Sequence, residues 1–384
     1  MIIIFASLIA GLASFPLLIL TVETVAGLRR PKAAGVGDAR QRTTVIIPAH
    51  NEALGIAATV HAIGQSGVDI LVVADNCSDE TAARAREAGA IAIERHDDAA
   101  RGKGYALAFG RDALRDDPPD IVIILDADCV PDGDAIARLA DHAALTGRAV
   151  QARNELQIRA DDPPMTRISN FAFSLKNVIR QRGLMRIAGT CVLTGTGMAF
   201  PWDQFRDAPL ATADSVEDLA IGLALVRSGT APAYLDEARV TSPAAKGAAA
   251  VTQRTRWEHG FIATAAKVAP RMVGFGITRF KWRAIWLGMH LMVPPLALTF
   301  AMAMLALMVA GGLGAVSSFV PAVVLGAIIL LAGVAVLAAW SQVGRTTLPL
   351  AMLLRVPLYI AWKLPIYLKL TRGADRRWTR TERD

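Results

Sequence analysis

Five aliphatic residues, 121–125, run directly into Asp126-Ala127-Asp128. Two carboxylates two positions apart on a turn can meet one hard cation. Mg2+ or Mn2+ takes such oxygen ligands and shares them with substrate phosphates. A D-x-D tripeptide is a weak signal alone, and its place at the end of a buried apolar run strengthens it. A second acidic pair, Glu217-Asp218, opens an apolar helix at 219–226. Acids in a first helical turn are ordinary dipole partners, and taken alone this pair reads as that.

Other polar clusters end or begin regular segments. Pro48-Ala49-His50-Asn51-Glu52 follows one β-branched run, and Asp75-Asn76-Cys77-Ser78-Asp79 follows another. Asn51 or Asp79 could be only a helix cap; alternatively, acids at these ends can hydrogen-bond a ribose or base. Arg101-Gly102-Lys103-Gly104 precedes a helix, where backbone amides and Lys103 suit a phosphate. It lacks the spacing and the Ser/Thr of a P-loop, and a flexible basic loop is the plain alternative. In Thr194-Gly195-Thr196-Gly197-Met198 the glycines allow a ligand, or only a tight turn. Gln253, Arg256 and Trp257 share one helical face. A cation beside an indole suits a phosphate and a stacked sugar ring, or a membrane-edge patch.

These groups need elements to position them. Strand-like runs at 43–48, 69–74, 90–94 and 121–125 alternate with helical spacing at 52–64, 79–88 and 105–115. The alternation predicts an α/β domain with a mostly parallel, Rossmann-like sheet. Such sheets bind ligands beyond the carboxyl ends of their strands, where Asp75 and Asp126 fall.

Hydrophobic residues make up 53% of the 384, and the excess sits at the two ends. Residues 1–28 read as a transmembrane anchor, 40–265 as the globular domain, and 266–384 as a second membrane region. Two spans are expected in the latter, near 284–313 and 316–340, the first kinked at Pro294-Pro295. His290 reads as a packing histidine. At 348–370, Arg355, Lys363 and Lys369 form one basic stripe on an apolar helix, which predicts an interfacial segment; a fourth span is the alternative. The first run lacks a basic leader, and Arg29, Arg30 and Lys32 follow it, so it reads as a retained anchor rather than a signal peptide.

The net charge of +7 clusters beside apolar segments, including Arg279, Lys281, Arg283 and the tail Arg376, Arg377, Arg380 and Arg383. This fits anionic lipid headgroups and no nucleic acid. It also places the globular domain and tail in the cytoplasm and the N-terminus outside, in the cell (inner) membrane. Three cysteines, Cys77, Cys129 and Cys191, suggest neither a disulfide framework nor a zinc site.

The ordered set, from the acid after the second strand through D-x-D and E-D to Q-x-x-R-W, resembles glycosyltransferase family 2. It looks like the membrane-embedded branch with cellulose, chitin and hyaluronan synthases and ceramide glucosyltransferases. The resemblance covers about residues 43–260. Ile47-Pro48-Ala49-His50-Asn51-Glu52 resembles that family's first-strand signature, with His50 where tyrosine is usual.

The resemblance implies a GT-A fold and inverting, metal-dependent transfer from a nucleotide-diphosphate sugar, most simply a UDP-sugar. Pro48, Asn51, Glu52, Asp75, Lys103, Asp126, Gln253, Arg256 and Trp257 would bind the donor. Asp128 and Asp126 would hold the divalent cation. Asp218, with Glu217 beside it, would be the general base, and Thr196, Gly197 and Trp257 would meet the acceptor.

Two departures stand out: Val216 replaces the threonine before E-D, and no F-x-V-T-x-K gating motif follows Gly260. The expected acceptor is lipid-linked, most simply a saccharide of an exopolysaccharide pathway. The alternatives are a ceramide- or hopanoid-type lipid, a processive polysaccharide synthase, or a non-catalytic nucleotide-sugar-binding scaffold. Oligomeric state is not legible.

Overall fold

The computed structural model describes residues 1–31, 41–159, 162–211, 217–243 and 247–370, with side chains omitted at 247–254, 256 and 368–370. The apolar N-terminal run is one helix, α1 (Ile2–Leu28). The alternating region then folds as β1 (Thr43–Ala49), α2 (Ile56–Gly64), β2 (Asp69–Asp75), α3 (Thr81–Glu87), β3 (Ile91–Arg95), α4 (Lys103–Ala113) and β4 (Ile121–Ile124). These four strands are parallel neighbours in the order β3-β2-β1-β4. The near-continuous Val/Ile/Leu runs of β1, β2 and β4 reflect burial on both faces, whereas the edge strand β3 is only partly buried.

The second half adds β5 (Val130–Pro131), α5 (Ala135–Thr146), β6 (Val150–Gln157), α6 (Pro164–Ser174), a π-helical turn (Leu175–Ile179), α7 (Arg180–Ala188), β7 (Met198–Pro201), α8 (Trp202–Arg206), α9 (Glu217–Ser228) and β8 (Ala233–Pro243). The eight-stranded order is β3-β2-β1-β4-β7-β6-β8-β5. β7 runs antiparallel to β4 and β6, and β5 antiparallel to β8, so the sheet is mixed. Alternate residues build its two faces. Val45 and Ile47 pack under α2 and α5, while Ile46, Val122 and Ile124 pack under Leu107 of α4 and Ile221 of α9.

The chain then continues as α10 (Gly247–Thr278), α11 (Trp282–Leu291), α12 (Leu296–Gly314), α13 (Val320–Val343), α14 (Leu350–Leu353) and α15 (Val356–Leu370). Among the described residues, three helices are long and apolar enough to cross a membrane: α1, α12 and α13. Leu17 of α1, Ala303 of α12 and Leu325 of α13 pack together.

The span expected at 284–313 requires correction. The helix stops before Pro294-Pro295, which cannot donate backbone hydrogen bonds, and restarts as α12. Residues 282–291 instead form α11, whose Trp286, Leu287 and Leu291 bury against Leu184 and Leu219 of the globular domain.

The basic stripe at 348–370 also differs from expectation. Lys363 is only 1% exposed and lies 2.6 Å from Glu258 on α10. Tyr359 and Tyr367 of α15 are buried beside it. The segment docks on α10, where the half-buried Glu258 carboxylate pairs with Lys363. Arg355 alone of the three is seen exposed. The Lys369 side chain and the basic tail lie outside the described residues.

Glu23, inside α1, ties these parts together. Its carboxylate accepts from Arg180 Nε at 2.8 Å and from Trp286 Nε1 at 3.1 Å, and lies 2.9 Å from His290 Nδ1. A Cβ on Gly27 would fall 1.9 Å from the Ile179 carbonyl oxygen, and one on Gly183 would fall 1.9 Å from that of Glu23. The two glycines let α1 cross the π-helical turn and α7 backbone to backbone.

Candidate active site

The turn after β4 sets the centre. Lys103, at the start of α4, forms an ion pair with Asp126 and donates to the Gly195 carbonyl oxygen at 2.7 Å. The Asp126 backbone N–H donates to Thr196 Oγ1 at 3.1 Å. The 194–197 loop is thereby fastened to the D-x-D turn. Gly195 has φ +85°, and a Cβ there would sit 3.4 Å from Asp218 Oδ2 and 3.5 Å from Lys103 Nζ. The glycine thus lets the backbone pass between the lysine and the second acidic pair, which the linear sequence separates widely.

Asp126, Asp128 and Cys129 offer ligand atoms within 4.8 Å of one another. Burial, followed by the charges of Asp126 and Asp128, pushes the Cys129 thiol well above its ordinary range. The thiol is buried and hydrogen-bonded to Thr196 and Ser242, which holds it in the turn. The carboxylates of Asp126 and Asp128 are hard oxygen ligands, which fit Mg2+ or Mn2+.

Burial is the largest influence on Lys103 and acts to lower it. Asp126, Glu217 and Asp218 together outweigh that effect and hold the ammonium above its usual range. Burial raises the carboxyl of Glu217 to about 7, helped by the charge of Asp218, and burial also raises Asp218. Asp218 Oδ1 accepts from the Leu219 N–H at 2.7 Å, which fixes its orientation at the start of α9.

Two cavities meet at this centre. One of about 230 Å³ is lined by Pro48, His50, Glu52, Asp75, Arg101 and Asn76, and by the central residues Gly102, Lys103, Asp126 and Asp128. Asp75 pairs with Arg95 at 2.6 Å across the β2–β3 register, and its carbonyl oxygen lies 2.7 Å from His50 Nδ1. The other, of about 430 Å³, shares the central residues and extends past Thr196, Glu217 and Asp218 to Trp257, Phe261, Leu20 and Leu296.

The structure brings most of the residues singled out above onto these walls. Asn51 lies off both: at φ +55° its Oδ1 accepts from the Ser78 N–H at 2.8 Å, a turn-forming role. Gly197 is also off both walls, and a Cβ there would meet Ala152 at 2.8 Å. The side chains of Gln253 and Arg256 lie outside the described residues, as does Val216. Trp257 is 38% exposed and packs against Phe173 with ring centroids 6.2 Å apart. Sequence reasoning missed Arg95, Lys176 and Arg180. The first was findable as the strand residue facing Asp75 in a parallel pair. The other two sit in polar helical sequence with no local signal.

A sheet of this order, with acids gathered at the carboxyl ends of its first strands and a second acidic pair across a glycine loop, defines a GT-A glycosyltransferase. The chain belongs to the family described as Glycosyltransferase like family 2, whose pattern matches residues 40–260. Among solved structures it is similar to a mannosyltransferase from Pyrobaculum calidifontis in complex with GDP-Man and Mn2+. The identity is 20% and the TM-score 0.59, over 95% of this chain and 100% of that one. It also matches glucosyl-3-phosphoglycerate synthase from Mycobacterium tuberculosis in complex with Mn2+, UDP-glucose and phosphoglyceric acid, at 22% identity and TM-score 0.38, over 55% of this chain and 77% of that one. No curated protein sequence matches the chain.

Proposed function

We propose that this glycosyltransferase transfers one sugar from a nucleotide-diphosphate sugar, a UDP-sugar in the first instance, to a lipid-linked acceptor at the cytoplasmic face of the inner membrane. The observation that carries this reading is the continuity of the larger cavity. It runs from Asp128 and Asp218 to Leu20 of α1 and to Leu296 and Ala297 of α12, so an acceptor can reach the reacting centre while its apolar part stays against the membrane helices.

In this reading the smaller cavity takes the nucleotide. Asp75, held by Arg95, and Glu52 face it. Lys103 lies against the diphosphate with Asp126 and Asp128. These two carboxylates would hold a divalent cation, which when bound neutralises charge on the departing diphosphate. The acceptor hydroxyl attacks the anomeric carbon, the bond from that carbon to the diphosphate oxygen breaks, and Asp218 takes the hydroxyl proton. Attack from the face opposite the leaving group inverts the anomeric centre. Gln253, Arg256 and Trp257 are assigned to the diphosphate and the acceptor end, and Thr196 to the acceptor side.

The acceptor class favoured is a lipid-linked saccharide of an exopolysaccharide pathway. Three apolar helices packed on one another leave little polar wall for exporting a polymer, which favours a single addition. The positive clusters after α1 (Arg29, Arg30) and at the start of α11 (Arg279, Lys281, Arg283) support a cytoplasmic catalytic domain with the N-terminus outside. Membranes incubated with a panel of nucleotide sugars, followed by mass spectrometry of the extracted lipids, test the proposal. The expected product is a lipid heavier by one sugar, and a panel giving only free sugar would overturn it.

A further inference from the structure

The larger cavity holds a second cation that the transfer chemistry does not use. Lys176, on the π-helical turn, lines it between the Glu217-Asp218 pair and the membrane helices. Its ammonium lies 4.2 Å from the centroid of the Phe261 ring. Among the described residues, no carboxylate lies within ion-pair distance of it. Of the cavity's carboxylates, Asp126 pairs with Lys103 and Glu258 with Lys363, while Asp218 and Glu258 act on Lys176 only through space and do not outweigh its burial. Arg180, one helical turn further on, also lines the cavity, and its charge is matched by Glu23.

An ammonium in such a place is costly unless a ligand brings an anion. Burial, followed by the charge of Arg180, draws the Lys176 amine down to about 8. That is the expected response of a buried cation whose lost hydration is not made up by the more distant charges of Asp218 and Glu258.

We propose that Lys176, backed by Arg180, forms an anion subsite for a phosphate or diphosphate group linking the acceptor sugar to its lipid. This rests on the reading that a lipid acceptor occupies the larger cavity, and it adds that the acceptor is an anionic lipid phosphate. The hydroxyl to be glycosylated then meets Asp218, the phosphate meets Lys176, and the apolar chain leaves along Leu20, Leu296 and Ala297. A neutral glycolipid would leave Lys176 with no anion in ion-pair contact.

The test uses full-length protein in nanodiscs of neutral lipid, with farnesyl diphosphate as probe and farnesol and inorganic pyrophosphate as controls. Binding is read by microscale thermophoresis in chelator, so that no cation recruits the probe to Asp126 and Asp128. Farnesyl diphosphate should bind, and farnesol and pyrophosphate should bind far more weakly. Lys176→Met should weaken farnesyl diphosphate binding by about thirtyfold or more, as loss of a buried charged partner does, while Lys176→Arg should retain most of it. Loss with Asp128→Asn or Lys103→Met and not with Lys176→Met would place the diphosphate in the donor site and overturn the subsite. Equal binding of pyrophosphate would also overturn it, showing an anion site without a lipid component.

A second arm separates this inference from the reading beneath it. If wild-type protein glycosylates a lipid from an extract and the product passes through an anion-exchange column unretained, the subsite fails and the lipid acceptor stands. If no lipid is glycosylated by active enzyme, the underlying reading fails. Retention of the product on the column, with loss of phosphate on mild acid treatment, supports both.

Discussion

The carboxylate of Glu23, inside the first apolar helix, lies 2.7 Å from the guanidinium of Arg180 on the wall of the catalytic cavity. The first apolar helix and the candidate active site are thus joined by one buried ion pair, with Trp286 and His290 completing the carboxylate's partners. Removing one member of such a pair strands the other charge, whereas removing both leaves none.

Glu23→Leu should therefore destabilise the protein by about 3–5 kcal/mol, and the double variant Glu23→Leu with Arg180→Leu should recover much of that loss. Thermal unfolding in detergent checks both. A single variant as stable as wild type would mean that the pair does not hold the first helix to the domain.

Asp218→Asn should cut turnover by about two orders of magnitude or more and leave donor affinity nearly unchanged. The Asp218 carboxylate faces the larger cavity, across the Gly195 backbone from Lys103, so its loss should appear in the chemical step. Kinetics with saturating acceptor, alongside direct donor-binding measurements, make the separation. Undiminished turnover would move the base role to Glu217.

The same burial fixes the sign of a pH effect. Burial raises both Asp218 and Glu217, the latter to about 7, so protons are held more tightly than by exposed carboxylates. A base must be ionised to act. Turnover should therefore rise with pH through an acid limb whose midpoint lies clearly above the ordinary aspartate value of about 3.9. A pH–rate profile flat down to about pH 4 would contradict the assignment of a buried carboxylate base.

How much of this was legible in the sequence follows from where the information sits. β1, β2 and β4 are buried on both faces, so each is a run of aliphatic residues, and their polar ends mark the site. β6 (VQARNELQ) and β8 (AYLDEARVTSP) carry charged and amide side chains, among them Arg153 and Glu155, which pair with each other. Their polarity hid them. Lys363 read as a surface cation because its carboxylate, Glu258, lies 105 residues away. The pairing of Glu23 with Arg180, 157 residues apart, is likewise a property of the fold and leaves no local trace.

The central claim is metal-dependent sugar transfer to a lipid. The most direct measurement follows a radiolabelled nucleotide sugar, incubated with purified full-length protein, a lipid extract and Mn2+ or Mg2+, into the organic phase. The account predicts one labelled lipid product, lost in excess chelator, restored by the cation and absent with Asp128→Asn. Label appearing only in free sugar or long water-soluble polysaccharide, or undiminished transfer by dialysed enzyme in chelator, would contradict it.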